Sequence, residues 1–274
     1  MPRLGVLGWP VAHSRSPAMH NAALRALNMD QWRYQLLPVA PERFAETVRA
    51  LGAAGFVGAN VTIPHKHAAL ALADSAGEAA RAIGAANTLT FTADATIAAE
   101  NTDAPGFLAA LGVSPRGMSA LVLGAGGSAR AIVWALREAG AREVSIWNRT
   151  PERAAALARD LGADAVLAPR PADLLVNCTS VGLERQPAGL QQSATEPQGL
   201  NLLALTFDQV GDYAHVVDLV YRSSLTPLLD AARTHGAHTV DGLEVLLAQG
   251  ALSFQLWTGV DPPLEVMRRA LLRD

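Results

Sequence analysis

The chain has 274 residues, a formal net charge of -3, 50% hydrophobic and 17% charged residues. This composition can bury a substantial core and excludes a disordered polymer, and its scattered arginines exclude a basic surface that tracks nucleic acid. Cys178 is the single cysteine, so an intramolecular disulfide is ruled out, and no leader-like start or run of about 18 uncharged apolar residues is present. A soluble cytoplasmic protein is expected.

Short β-rich runs at 3–8, 32–39, 55–63, 87–91 and 96–101 alternate with helical stretches at 17–28 and 41–52, whose first turns carry Pro17 and Pro41. This alternation predicts an α/β architecture with a mostly parallel sheet. After the turn-rich stretch 111–119 the pattern restarts, with strand, glycine turn and helix over 120–140. Strands are predicted at 143–150, 173–180 and 215–221, an irregular loop at 184–200, and a helical run from about 243 to 272.

The segment GAGGSA, 124–129, stands directly after a strand and before a helix. Gly124 suits the tight turn, Gly126 lets the backbone approach a pyrophosphate, and Ala129 keeps the helix close to the strand. The helix start then supplies N–H groups and partial positive charge for phosphates. Where an acidic residue would hold the ribose hydroxyls of NAD, this chain has Asn148, Arg149 and Thr150. A guanidinium there pairs with a 2′-phosphate, which favours NADP. Thr150 also reads as a helix cap before Pro151.

Four segments of the first half cluster polar groups: 8–21 with Ser14 and Ser16, 60–69, 84–88 with Asn87, and 100–103 with Asp103. Ser16 reads as a natural N-cap before Pro17, and the serine pair equally suits a small carboxylate. Asn60 and Thr62 alternate along a strand and so share a face. Lys66, just beyond Pro64 and His65, is the only lysine of the chain. Arginine stays protonated, whereas lysine can be tuned to exchange a proton. Together these groups suggest a small polyhydroxylated substrate. His13, His20, His65 and His67 show no metal-ligand spacing, and Trp134 and Cys178 read as core residues, so no metal is expected.

The ordered set HSRSPAMHN, NVTIPHK, GAANT, NTD, GAGGSAR, NRT and DGLEVLLAQGALSFQLWTG, from about residue 5 to residue 259, resembles the shikimate dehydrogenases. The resemblance implies reversible NADPH-dependent reduction of 3-dehydroshikimate to shikimate, on the path to aromatic amino acids. It implies a substrate-binding lobe over 1–103, completed by helices at 243–274, a Rossmann-like NADP-binding lobe over 104–242, and a cleft between the lobes that closes on binding. By similarity, Ser14 and Ser16 bind the substrate carboxylate, and Asn60, Thr62, Asn87, Tyr221 and Gln249 line the rest of its pocket. Lys66 and Asp103 are the implied catalytic pair. Glu78, Gly124, Ala125, Gly126, Gly127, Ser128, Asn148, Arg149, Thr150, Arg153, Leu219 and Gly242 are the implied cofactor contacts.

Hydride delivery to a ketone leaves an alkoxide that must be protonated, and an ammonium serves that need in both directions. Burial would lower the pKa of the lysine while a neighbouring carboxylate would oppose the shift. This leaves Lys66 alone or Lys66 with Asp103 as the proton carrier. The chain departs from the family at Arg222-Ser223, where Asn-Pro is usual, and at Glu244 and Val245, where Gly-Met is common. The alternatives carried forward are a quinate/shikimate dehydrogenase using NAD and a non-catalytic NADP-binding sensor. Nucleic acid and membrane are not expected as partners, and a homodimer is left open.

Overall fold

The first apolar runs form β1 (Arg3–Gly8), β2 (Arg33–Pro38) and β3 (Phe56–Val61), with α1 (Ser16–Ala26) and α2 (Phe44–Leu51) as crossovers. The structure is a computed structural model describing residues 1–183, 199–222 and 224–272. The irregular loop expected over 184–200 lies outside the described residues except at its last two positions. The chain contains two units, Met1–Ala109 with Leu246–Asp274, and Ala110–Val245.

In the first unit α3 (Lys66–Leu72), β4 (Ser75–Ala76), α4 (Glu78–Ile83), β5 (Thr88–Phe91), β6 (Ile97–Glu100) and α5 (Asp103–Leu111) follow. The sheet runs β2-β1-β3-β5-β6-β4. β1 is parallel to β2 and β3, whereas β5 is antiparallel to both β3 and β6. A mostly parallel sheet was expected, and this one is mixed. The reason is the short link between β5 and β6, where Thr92 N donates to Thr96 O at 3.0 Å. A connection that short can only reverse direction, because a parallel return needs a dozen residues or more.

The register of this sheet brings remote segments together. Asn60 pairs with Thr88, and Thr88 with Glu100, so three segments distant in sequence share one row. Below them Phe44, Val48, Phe56, Leu89 and Ile97 pack into one buried core.

The second unit contains β7 (Ser119–Leu123), α6 (Gly127–Glu138), β8 (Glu143–Trp147), α7 (Pro151–Leu161), β9 (Asp164–Ala165), β10 (Leu174–Asn177), β11 (His215–Asp218), α8 (Pro227–Thr234) and β12 (His238–Val240). Its sheet runs β12-β11-β10-β7-β8-β9, and every pairing is parallel. Parallel strands covered on both faces need continuous apolar runs. β7 and β10 supply them, with Leu121, Val122, Leu123, Leu174, Leu175 and Val176 all fully buried.

The helical run predicted over 243–272 is two helices, α9 (Gly242–Thr258) and α10 (Leu264–Leu271). Gly259, at φ +68°, ends the first, and Pro262 and Pro263 prevent its continuation. No helix among the described residues is long and apolar enough to cross a membrane.

Candidate active site

In the first unit the chain turns back across β1, so that β2 lies on one side of it and β3 on the other. At such a switch point the loops after neighbouring strands diverge and leave room for a ligand. The loop after β1 carries Ser14 and leads into α1 at Ser16, and the loop after β3 leads to Lys66. Backbone bonds join the two loops: Thr62 N donates to Leu7 O at 2.8 Å and Trp9 N to Ile63 O at 3.0 Å.

Lys66 opens α3 and is 8% exposed. Its Nζ donates to Asp103 Oδ2 at 2.6 Å. The other oxygen of that carboxylate, Oδ1, accepts from Asn87 Nδ2 at 2.8 Å. Lysine and amide therefore clamp the carboxylate, and the pair is largely shielded, with side-chain exposures of 10% and 15%. Losing one member of a buried pair typically costs about 3–5 kcal/mol, because the other charge is stranded.

Asn87 is a junction. Thr102 Oγ1 at 2.9 Å and Gln249 Oε1 at 3.1 Å also lie within hydrogen-bond distance of its Nδ2 and share its second hydrogen, while its Oδ1 accepts from Thr102 N at 2.7 Å. Asn60 is held as tightly: Tyr34 donates its phenolic O–H to Asn60 Oδ1 at 2.8 Å, and Asn60 Nδ2 donates to Ser253 Oγ at 2.9 Å. A satisfied polar network in a low-dielectric interior is stiff, which suits a site that must present groups in one geometry.

His65 anchors the start of α3. Its Nε2 donates to Val39 O at 2.7 Å, and its ring stacks on Phe44 at 4.4 Å. Burial pushes this imidazole below its ordinary range. His20 is buried without a polar partner among the described residues and stacks on Tyr34 at 4.3 Å. The apolar cage pushes the His20 imidazole down to about 3.

The serine pair is arranged differently from the sequence expectation. Arg15, not Ser16, holds the N-cap position of α1, and Ser16 is the first helical residue. Ser14 Oγ accepts from Ser16 N at 3.4 Å and donates to Ser16 Oγ at 3.2 Å, so the two hydroxyls are adjacent at the helix start.

In the second unit the switch point falls between β7 and β10. Gly124 follows β7 at φ +112°, a left-handed conformation that favours glycine. A Cβ there would also come within 3.2 Å of the Cys178 backbone. Gly126 differs: its φ is -92° and a Cβ would meet nothing within 4 Å. The fold itself does not require glycine at that position, and an open cradle at a helix start is what a dinucleotide pyrophosphate needs. NADP fits these residues.

Thr150 takes the N-cap position of α7 with Pro151 next, though without a side-chain capping bond. Asn148 Nδ2 donates to Thr150 O at 2.9 Å, bracing the turn. Arg149 and Arg153 are exposed and have no carboxylate partner among the described residues, whereas Arg130 is paired with Asp160 at 2.9 Å. A Cβ on Gly242 would come within 2.5 Å of Leu219 O, so these two implied contact residues abut.

The structure gathers Lys66, Asp103, Asn87 and Gln249 into one bonded cluster, with Asn60 joined to it through Ser253 and the hydroxyls of Thr88 and Thr102. Thr62 is half-buried just beyond β3, with no hydrogen bond from its hydroxyl among the described residues. Tyr221, Leu219 and Gly242 belong to the second unit, and Glu78 begins α4 in the first, exposed. Of the family departures, Val245 is buried, Arg222 Nε donates to Ser224 Oγ at 3.0 Å, and Ser223 lies outside the described residues. Tyr34, Thr88, Thr102 and Ser253 escaped the sequence reading. Isolated hydroxyl residues have no spacing signature, and only the shared row of Asn60, Thr88 and Glu100 unites them.

A parallel doubly wound unit with a glycine turn at its switch point, and a unit presenting a lysine–carboxylate pair, define a nucleotide-dependent dehydrogenase. Family comparison narrows this class. Residues 6–89 match the shikimate dehydrogenase substrate binding domain, residues 111–180 match shikimate / quinate 5-dehydrogenase, and residues 242–272 match the shikimate 5′-dehydrogenase C-terminal domain. The chain is 45% identical to a shikimate dehydrogenase (NADP(+)) of Acidiphilium cryptum, covering 98% of this chain and 95% of the relative. The structure of shikimate 5-dehydrogenase from Thermus thermophilus in complex with NADP(H) and shikimate aligns at TM-score 0.85 with 43% identity, covering 99% and 98% of the two chains. Shikimate dehydrogenase from Aquifex aeolicus aligns at TM-score 0.86 with 35% identity, covering 100% and 98%. The chain belongs to the shikimate dehydrogenase family.

Proposed function

We propose that the protein catalyses the reversible NADP-linked oxidation of shikimate to 3-dehydroshikimate, the reductive direction serving aromatic amino acid biosynthesis. The observation that carries this reading is the partly buried contact between Lys66 Nζ and Asp103 Oδ2 at 2.6 Å, made by the only lysine of the chain. Bound NADP supplies the acceptor for the hydride that leaves the substrate carbon. As the hydride leaves, the hydroxyl must give up its proton, and the Lys66–Asp103 pair is the proton-exchanging group of the first unit. In the reductive direction the ammonium stabilises the developing alkoxide and then protonates it. Asp103 fixes the lysine, and Asn87 fixes Asp103.

Ser14 and Ser16, adjacent at the start of α1, are the proposed donors to the substrate carboxylate. Asn60, Thr62, Asn87, Tyr221 and Gln249 are its remaining proposed contacts. The glycine turn 124–128, with Asn148, Arg149, Thr150, Arg153, Leu219 and Gly242, is the proposed nucleotide site, with Glu78 as a further contact. Arg149 and Arg153, without carboxylate partners among the described residues, support selection of a 2′-phosphate, because each has its full charge available to a ligand.

The test is absorbance at the nicotinamide band with shikimate and either NADP or NAD, on wild type and Lys66→Ala. NADP reduction that is lost in the variant is the expected outcome. Oxidation of quinate with NAD as fast as shikimate with NADP would favour the broader dehydrogenase. Cofactor binding without oxidation of either acid would leave a sensor.

A further inference from the structure

Asn101 has no assigned role, yet it is 4% exposed and its side-chain amide makes three hydrogen bonds that span the gap between two backbone segments. Its Oδ1 accepts from Asp103 N at 3.1 Å and from Ala104 N at 3.3 Å, satisfying the first turn of α5. Its Nδ2 donates to Ala85 O at 2.9 Å. The peptide group that contains Ala85 O also contains Ala86 N, and Ala86 N donates to Lys66 O at 2.9 Å.

These bonds form a continuous path. It runs from the Lys66 carbonyl through the 85–86 peptide and the Asn101 amide to the backbone N–H of Asp103. The side-chain contact between Lys66 Nζ and Asp103 Oδ2 closes the path into a ring. Each group on it donates at one end and accepts at the other, so the bonds polarise one another in the same sense. Neither serine nor aspartate could replace Asn101 here, because serine carries its donor and acceptor on one oxygen and ionised aspartate has no donor, whereas the amide carries them on two atoms.

We propose that Asn101 is a positioning residue that sets the separation of Lys66 and Asp103, acting as a strut between the two backbones rather than only as a helix cap. It acts through the pair and not on substrate or cofactor. The proposal rests on the reading of that pair as the proton-exchanging group.

Asn101→Ser separates strut from cap, since serine keeps an oxygen that caps a helix but has no second polar atom in place of the Nδ2 that reaches Ala85 O. Asn101→Ala loses both. Each variant would be assayed for shikimate oxidation, alone and combined with Lys66→Ala, with NADP binding followed by protein fluorescence. The expected result is a fall in kcat of about tenfold or more in both variants, the size of one lost buried hydrogen bond expressed in the transition state. KM for shikimate and affinity for NADP should stay near wild type, and adding Asn101→Ser to Lys66→Ala should cause no further loss. A serine variant with wild-type kcat would reduce Asn101 to a cap. A serine variant that fails to fold, or whose loss simply adds to that of Lys66→Ala, would make it a scaffold residue. Either result overturns the proposal. If wild type does not oxidise shikimate, or Lys66→Ala is unimpaired, the functional reading fails instead.

Discussion

The two units solve different problems with different materials. In the first, Asn60, Asn87, Thr88, Thr102, Gln249 and Ser253 are buried and bonded to one another, and the buried Lys66 and Asn101 both bond to Asp103. In the second, Ser145, Asn177, Asp218 and Thr226 are the buried polar residues among the described ones, and the remaining buried side chains are apolar; its sheet is wholly parallel. On the proposed function the first unit exchanges the proton and must present side chains at fixed distances, which a polar network in its interior provides. A unit that holds a dinucleotide can rely on main-chain N–H groups and absent Cβ atoms, so its interior is left to packing.

The largest test of that contrast is Lys66→Arg. It preserves positive charge beside Asp103 but cannot cycle a proton, so turnover should fall by about 10²–10⁴-fold. NADP binding, a property of the second unit, should not change in fluorescence titration. A substantially active arginine variant would mean that charge alone suffices in the first unit.

Arg149→Ala probes the second unit in the same way. Loss of one charge-assisted phosphate contact should weaken NADP by about 10–150-fold, corresponding to about 1.5–3 kcal/mol, while NAD affinity barely moves. Gly126→Ala should weaken both cofactors without lowering thermal stability, since its Cβ meets no protein atom within 4 Å. Equal loss of NADP and NAD in Arg149→Ala would remove the phosphate-selecting role.

The units should also respond to acid in opposite senses. His20 is pushed down to about 3, so the unfolded chain binds a proton near pH 6.5 that the folded one refuses. Its contribution is intact above that pH and is lost as pH falls, costing the first unit about 2 kcal/mol between pH 7 and 5. Asp218 is the reverse case. Burial pushes its carboxyl up to about 6, although Thr226, Val220 and Asn177 all donate to it. The folded state then holds a proton that the unfolded one has released above about 3.8. Stability from this group is present at low pH and lost as pH rises through 6. Acidification from pH 7 to 5 should therefore relieve the second unit by roughly 1 kcal/mol. Native-state hydrogen exchange, corrected for intrinsic rates, should show β1 and α1 loosening in acid while β10 and β11 tighten. His20→Phe should flatten the first response and Asp218→Asn the second, the smallest effect of the set.

Much of the second unit was legible because its signals are local. A strand, a glycine turn and a helix stand consecutively at 119–138, and each residue serves its role within a few positions of its neighbours. The first unit was legible in its chemistry but less so in its form. The lone lysine, the carboxylate at 103 and the amides at 60 and 87 were visible as chemical types. The helices α3 and α4 and the antiparallel pairings were not foreseen, nor was α8 in the second unit. α3 and α4 have only seven and six residues, too short to show a helical period. The cap position at α1 was misplaced by one residue, within the usual spread of helix ends.

The amino-acid sequence by itself determined which groups are available: a single lysine, an arginine where an acid would favour NAD, and a glycine turn between strand and helix. Tertiary structure alone decided their distances. The pairing of Asn60 with Thr88 and of Thr88 with Glu100 brings segments remote in sequence into one row, and Asn101 then links the backbone at Asp103 to Ala85 O, whose peptide donates to Lys66 O. Strand register depends on burying one face and satisfying the ladder across several strands at once. Such a long-range condition leaves no mark in the local order of residues.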